Sequence, residues 1–245
     1  MLTKWMTWIV LFFSYSILGW VWESCFVSCR KRQWINRGFL RGPWLPIYGS
    51  GAVIILMITA PARDHIVLIY LLGMIGATVL EYVTGAAMEK LFHVRYWDYS
   101  QKPLNVNGHI CLGVSLGWGV FSVLLVKGIH PAMLRFLSLI PTPVLVGVNL
   151  LFCVFFVMDS VQSTQAALDL KQMLVRLSAE REKWLAAMPR PENLRQKWQE
   201  LQEMRDTTLR PRIVSLLHRN PTATSQKYRE ALRDLKERLE SLRRR

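Results

Sequence analysis

Apolar residues run in long unbroken stretches over the first two thirds of the chain and then thin out into spaced stripes over the last third. Five stretches predict membrane spans: 5–28, 45–60, 66–88, 110–126 and 143–162. A helix needs about 20 apolar residues to cross a bilayer, so the second and fourth are short. The stretch from His130 to Ile140, bounded by Pro131 and Pro141, is too short to cross and is expected to lie at an interface. Beyond residue 162 the pattern becomes amphipathic. Leu170, Leu174, Leu177, Trp184 and Met188 fall on one helical stripe with Arg181 in the missing position, and Pro189 and Pro191 break it. Leu194, Trp198 and Leu201 mark a second helix that Pro211 ends. A third is expected to start at Asn220 as its cap, with Pro221 in the first turn, and carries Tyr228, Leu232, Leu235, Leu239 and Leu242.

The pattern predicts an all-α polytopic membrane bundle of about five transmembrane helices over 1–162, followed by a helical tail over 163–245 that forms a short coiled coil or three-helix unit. Charge adds an orientation. The 245-residue chain has 31 Lys and Arg against 17 Asp and Glu, and the tail alone holds 19 of the former and 11 of the latter. Arg30, Lys31, Arg32, Arg37 and Arg41 lie in one loop and Lys90, Arg95 and Lys102 in another, whereas the opposite side has only Lys4, Arg63, Lys127 and Arg135. Positive charge collects on the cytoplasmic side, so the amino terminus is expected outside and the tail inside. A basic tail suits anionic lipid or an acidic protein; nucleic acid is not an expected partner.

Composition also narrows the chemistry. The first apolar run is too long for a signal peptide and is expected to stay as an anchor. Cys25, Cys29, Cys111 and Cys153 form no CxxC pair and read as buried thiols, with no metal or disulfide role. The chain contains no phosphate-binding GxxxxGK[ST] and no HExxH, and no cofactor is expected. Any ATP-driven role would need a separate nucleotide-binding subunit.

Glu81 is the most informative residue, because a carboxylate near the middle of an apolar span costs on the order of 3 kcal/mol on insertion scales and should face protein or a wet cavity. Gly73, Ala77, Glu81, Gly85 and Glu89 recur every four residues, a small-residue ridge suited to close contact with another helix. Packing alone, or a proton-coupled switch at Glu81, both fit this ridge. Glu23 shares a face with Ser16 and Gly19, and either snorkels, pairs with Arg30 or belongs to a site. The segments 38–52 and 97–113 are rich in Gly, Pro, Asn and Trp. Such irregular backbone is tolerated at membrane depth only around a protein-lined cavity, whose mouth would carry Arg41, Tyr48, Arg95, Asp98, Asn105, Asn107 and His109. Arg95 and Asp98 are alternatively a local ion pair. Spans one and two, then three and four, also read as a weak repeat of a helix with a carboxylate, a basic loop and a short Gly-bearing return, a transporter-like arrangement.

The same loops carry a resemblance. Asn36-Arg37-Gly38-Phe39-Leu40, Gly42-Pro43, Pro46-Ile47-Tyr48-Gly49 and Gly51-Ala52 are followed by Glu81-Tyr82, Thr84-Gly85, Glu89, Phe92 and Arg95. Trp97-Asp98-Tyr99-Ser100, Asn105, Gly108, Ile110-Cys111-Leu112 and Trp118-Gly119 complete the set. Together they resemble the bacterial CmpB-like, ABC-transporter type IV membrane family over roughly residues 10 to 160. The resemblance implies a multi-pass, permease-like protein of the bacterial inner membrane that moves a small substrate, and it names no substrate. Two other classes stay open: a membrane-embedded enzyme acting on a lipid-type substrate, with Glu89, Asp98 and His109 as acid and base, and a scaffold or sensor with the tail as output. A homo-oligomer is compatible with all three.

Overall fold

The computed structural model describes residues 2–186 and 210–243. Among them, four helical stretches are long and apolar enough to cross a membrane: Trp5–Lys31, Ile66–Phe92, Leu112–Ser138 and Thr142–Lys183. The protein is an all-α membrane helical bundle. In order, α1 (Leu2–Lys31), α2 (Pro46–Ile58) and a 3-10 turn (Ala60–Ala62) lead to α3 (Ile66–Phe92). A two-stranded hairpin, β1 (Asn105–Val106) and β2 (Ile110–Cys111), precedes α4 (Leu112–Leu124), a π turn (Leu125–Ile129) and α5 (His130–Ser138). The 45-residue α6 (Thr142–Ala186), then α7 (Pro211–Arg219) and α8 (Arg229–Arg243), complete the described chain.

The short second span is α2, whose 13 residues rise about 20 Å against a bilayer core of about 30 Å. The stretch from His130, expected as a separate interfacial segment, is continuous with the fourth span. Residues 112–138 form one helical stretch, because the amide of His130 donates to Leu125 O across the π turn and Pro131 then falls at the start of α5. Proline is tolerated there, since its missing N–H and its ring meet a turn already loosened from the α pattern. Likewise the fifth span and the first amphipathic stripe are one uninterrupted helix, α6.

Two compact units result. The first comprises residues 1–87 and 98–160. Its core gathers Val10, Leu11 and Tyr15 of α1, Ala52, Ile55 and Leu56 of α2, Ile69 and Ala77 of α3, and Leu125, Val126 and Leu137 beyond α4. A second cluster joins Phe13, Leu40 and Trp44 to Phe152 and Phe156 of α6. Close helix approach depends on absent side chains at two places. A Cβ on Gly19 would strike the Tyr48 ring, and one on Gly49 would strike Ser16 Oγ and the carbonyl of Phe12. The ridge on α3 behaves as its spacing implies: Gly73, Ala77, Glu81 and Gly85 are buried, and Gly73 abuts Ser122 of α4, whereas Val67, Leu71, Ile75, Val79 and Val83 face outward as lipid-contacting residues should.

The second unit comprises residues 88–97 and 161–243 of the described chain. Leu170, Leu174, Leu216, Leu232 and Leu235 are fully or almost fully buried within it. Arg95 and Thr224 form a β-bridge, each amide donating to the other's carbonyl at 2.8 and 2.9 Å, and Ser225 Oγ donates to His93 O at 2.6 Å. Three expectations change. Pro211 opens α7, and Asn220 caps the C-terminus of α7, its Nδ2 donating to Leu216 O at 3.0 Å, instead of starting the last helix. That helix begins only at Arg229, after Ser225 Oγ has accepted the Tyr228 amide. Cys25 and Cys29 are exposed beside Trp22 and Phe26, not buried, since this face of α1 has lipid rather than protein available to cover it. The stripe around Leu194, Trp198 and Leu201, together with Met188, Pro189 and Pro191, lies outside the described residues.

Candidate functional site

Within the first unit one polar cluster draws on α1, α2, α3, α4 and both irregular loops. Glu81 projects from the small-residue ridge of α3 and is 5% exposed. Tyr99 Oη donates to its Oε1 at 3.0 Å and Trp118 Nε1 donates to its Oε2 at 2.9 Å. Glu23, near the end of α1, accepts from Tyr48 Oη at 2.9 Å, and its other oxygen lies 3.8 Å from Arg37 Nε. The two halves meet through aromatic rings: Tyr48 and Trp118 are 5.4 Å apart at a tilt, and Phe121 stands edge-on to both. Thus each carboxylate is held by a hydroxyl or indole donor, and those donors also touch one another.

Electrostatics ties the loops to this cluster. Burial, then the charge of Glu81 and its hydrogen bond, and also Glu23, push the Tyr99 hydroxyl far above the ordinary tyrosine range. Tyr99 is therefore a fixed proton donor at physiological pH. Burial lowers the Arg37 pKa, against the opposing pull of Glu23, Tyr99 and Tyr48. A guanidinium stays protonated in proteins, so Arg37 supplies a lasting positive charge beside Glu23.

The loops are positioned by their own polar residues. In the first, Trp20 Nε1 donates to Asn36 Oδ1 at 2.6 Å, Asn36 Nδ2 donates to Arg41 O at 2.7 Å, and the Arg37 amide donates to Ser24 Oγ at 3.1 Å. Asp159 of α6 closes this loop. Its carboxylate accepts the amides of Arg41 at 2.9 Å and Gly42 at 2.7 Å and the indole N–H of Trp44 at 2.9 Å. In the second loop Asp98 accepts the Ser100 amide and hydroxyl, and Asn105 accepts the Gly108 amide while donating to Lys102 O. Asn107 and Gly108 take positive φ at the hairpin tip, where Asn107 Nδ2 donates to Tyr82 Oη at 3.0 Å and the His109 ring packs edge-on to Tyr82. These contacts fold the hairpin against α3 and set Tyr99 over Glu81.

Of the residues the sequence singled out, Glu23, Tyr48 and Glu81 are brought together. Asp98 and Asn105 build the turn, and Asn107 and His109 dock it. Arg41 enters through its backbone. Glu89 and Arg95 belong to the second unit, where Arg95 Nε lies 2.8 Å from Glu89 Oε1 and the Gln226 amide oxygen, facing Arg95, accepts from its Nη atoms at 2.7 and 3.1 Å. Arg95 is thus paired with Glu89, because one turn of α3 and the short return after Phe92 bring the two side chains together. Sequence reasoning did not single out Arg37, Tyr99, Trp118 or Asp159 as site residues. Two signals pointed to them: Tyr99 and Trp118 stand inside the motif blocks around both loops, and Asp159 is an acidic residue inside an apolar run.

The family model described as Putative ABC-transporter type IV matches residues 10–164, a stretch that contains every member of the cluster. No curated protein and no solved structure matches the chain.

Proposed function

Because the chain belongs to the Putative ABC-transporter type IV family, we propose that it is the membrane-spanning component of a transporter and that the Glu23–Arg37–Tyr48–Glu81–Tyr99–Trp118 cluster is where its small substrate or a coupling proton binds. The observation that carries this reading is Glu81, a buried carboxylate within an apolar span whose two partners come from a loop and from another helix. A group so placed is expensive to keep in a membrane and marks a substrate or ion path. Asp98 is engaged in a turn and Glu89 with Arg95, which favours transport over acid–base catalysis by these groups.

The proposed arrangement is a membrane domain over 1–162 in the bacterial inner membrane, amino terminus outside, and a basic tail over 163–245 in the cytoplasm. The basic loops at 30–41 and 89–109 support it, as does the positive-inside tendency. Arg41, Asn105, Asn107 and His109 frame the cytoplasmic approach, and the tail engages anionic lipid or an acidic protein. With no phosphate-binding motif in the chain, ATP would be hydrolysed by a separate subunit.

Affinity purification of the full chain with protein identification tests the reading. A copurifying nucleotide-binding subunit, and ATP-dependent uptake lost in Glu81→Gln, are the expected results. Purification without such a subunit, together with undiminished uptake in Glu81→Gln, would overturn it. Terminal reporter fusions test the orientation, and both ends on one side would refute it.

A further inference from the structure

We propose that the cluster binds a small organic cation, a protonated amine or quaternary ammonium; the inference rests on the reading of the cluster as the substrate site. Charge is the first reason. Both hydrogen-bond donors to Glu81, the Tyr99 hydroxyl and the Trp118 indole, are neutral. Arg37 stands beside Glu23 instead. Two carboxylates and one guanidinium leave the group formally one positive charge short, and a buried charge in a membrane is paired or avoided. A monovalent cationic ligand completes the balance.

The rings give the ligand's chemistry. Tyr48 holds Glu23 through its hydroxyl, Trp118 holds Glu81 through its indole, and the Tyr48–Trp118, Trp118–Phe121 and Tyr48–Phe121 centroids lie 5.4, 5.9 and 6.4 Å apart. An aromatic surface set between two carboxylates attracts an ammonium through the ring quadrupole as well as through the charges. A hard inorganic cation would instead require a cage of oxygens. Of the two carboxylates, Glu23 is the more exposed and Glu81 the more buried.

The test uses the purified full chain in lipid nanodiscs and radiolabelled choline as probe, with tetramethylammonium and the neutral isostere 3,3-dimethylbutanol as competitors. Saturable choline binding, displaced by tetramethylammonium and not by the alcohol, is expected. Glu81→Gln should weaken it about tenfold or more, consistent with loss of a desolvated charge contact. Trp118→Leu should weaken it less, and Asp64→Asn, on an exposed connection, should leave it unchanged. Since Glu81→Gln is open to folding defects, Tyr48→Phe, which removes only a hydroxyl, is measured beside it, and thermal unfolding of both is compared with the parent. Displacement by the alcohol as strong as by tetramethylammonium, full binding in a folded Glu81→Gln, or proton uptake with no saturable ammonium binding would overturn the proposal. A nucleotide-binding subunit that copurifies while choline fails to bind refutes the ligand class alone; choline binding with no such subunit and undiminished uptake in Glu81→Gln refutes the transporter reading alone.

Discussion

Replacing Asp159 with alanine should loosen the loop that delivers Arg37 to Glu23. The carboxylate accepts three hydrogen bonds, from the Arg41 and Gly42 amides and the Trp44 indole, at 2.7 to 2.9 Å. Hydrogen bonds to a charged group contribute roughly 1.5–3 kcal/mol each, and a buried donor left unpaired costs about 1–3 kcal/mol. Arg41 and Gly42 are only half-buried, so water can reach part of the space, and the low end applies. At about 1 kcal/mol per stranded donor, Asp159→Ala should destabilise the first unit by about 3 kcal/mol. Asp159→Asn should cost less, because one oxygen survives while an NH2 faces an N–H. Trp44→Phe removes the indole donor and keeps the ring packing against Phe13, Phe152 and Phe156. The Asp159→Ala and Trp44→Phe changes should therefore couple by about 1 kcal/mol in a double-mutant cycle. Unfolding in mixed micelles titrated with dodecyl sulfate measures all four proteins. An Asp159→Ala loss below about 0.5 kcal/mol, within the spread of neutral surface changes, or zero coupling, would refute this account of the loop.

Gly49→Ala places a Cβ against Ser16 Oγ and the Phe12 carbonyl and should cost about 1–3 kcal/mol in the same assay, the usual range for overpacking; a stability equal to the parent would show that α1 and α2 can separate freely. Tyr99→Phe should remove a donor from Glu81 at a cost of about 1.5 kcal/mol. Because the Tyr99 hydroxyl titrates far above its ordinary range, the difference in tyrosinate absorbance between parent and Tyr99→Phe should emerge only well above about pH 10. His93, in the second unit, has its pKa lowered by partial desolvation and then by Lys171 and Lys227, against the opposing Glu89. Its folded state favours the neutral ring, so its contribution is present above the ordinary histidine pKa of about 6.5 and is lost as pH falls from there through the depressed value. The protection of the 223–228 amides, taken relative to their intrinsic exchange rates, should be lower at about pH 5.5 than at about pH 7.5, and His93→Gln should reduce that difference; an unchanged difference would remove His93 from the explanation.

The long spans were legible because an apolar run has only one low-energy environment, whatever its neighbours. The ridge on α3 was legible for a related reason, since a four-residue spacing of Gly, Ala and Glu fixes one helical face. Other features depended on partners that leave no local pattern. Asp159 binds two backbone amides, and a backbone amide is the same in every residue that could offer one. Arg95 depends on Thr224 and Gln226, well over a hundred residues away, so its surroundings could not be read from its neighbours in the chain. Pro131 read as a break because the π turn before it, which makes the proline tolerable, has no sequence signature of its own. Asn220 and Pro221 satisfied a helix-start rule, yet the amide of Asn220 bonds back to Leu216 and Leu217, so the same residue closes the preceding helix.

That π turn at Leu125–Ile129 also sets which way the following helix faces. It holds one residue more than an α turn, so everything after it is rotated by about 100° relative to uninterrupted winding. The added residue sets the phase in which His130 Nδ1 meets Tyr15 Oη at 2.8 Å on α1. Gly128 lies in the turn with no neighbour where its Cβ would be, and its removal would restore ordinary winding and swing His130 more than a quarter-turn from Tyr15 while leaving 112–124 in place. The turn therefore acts as a phase setter, and a chain with Gly128 deleted should lose the tyrosine–histidine bond while keeping the helix before it.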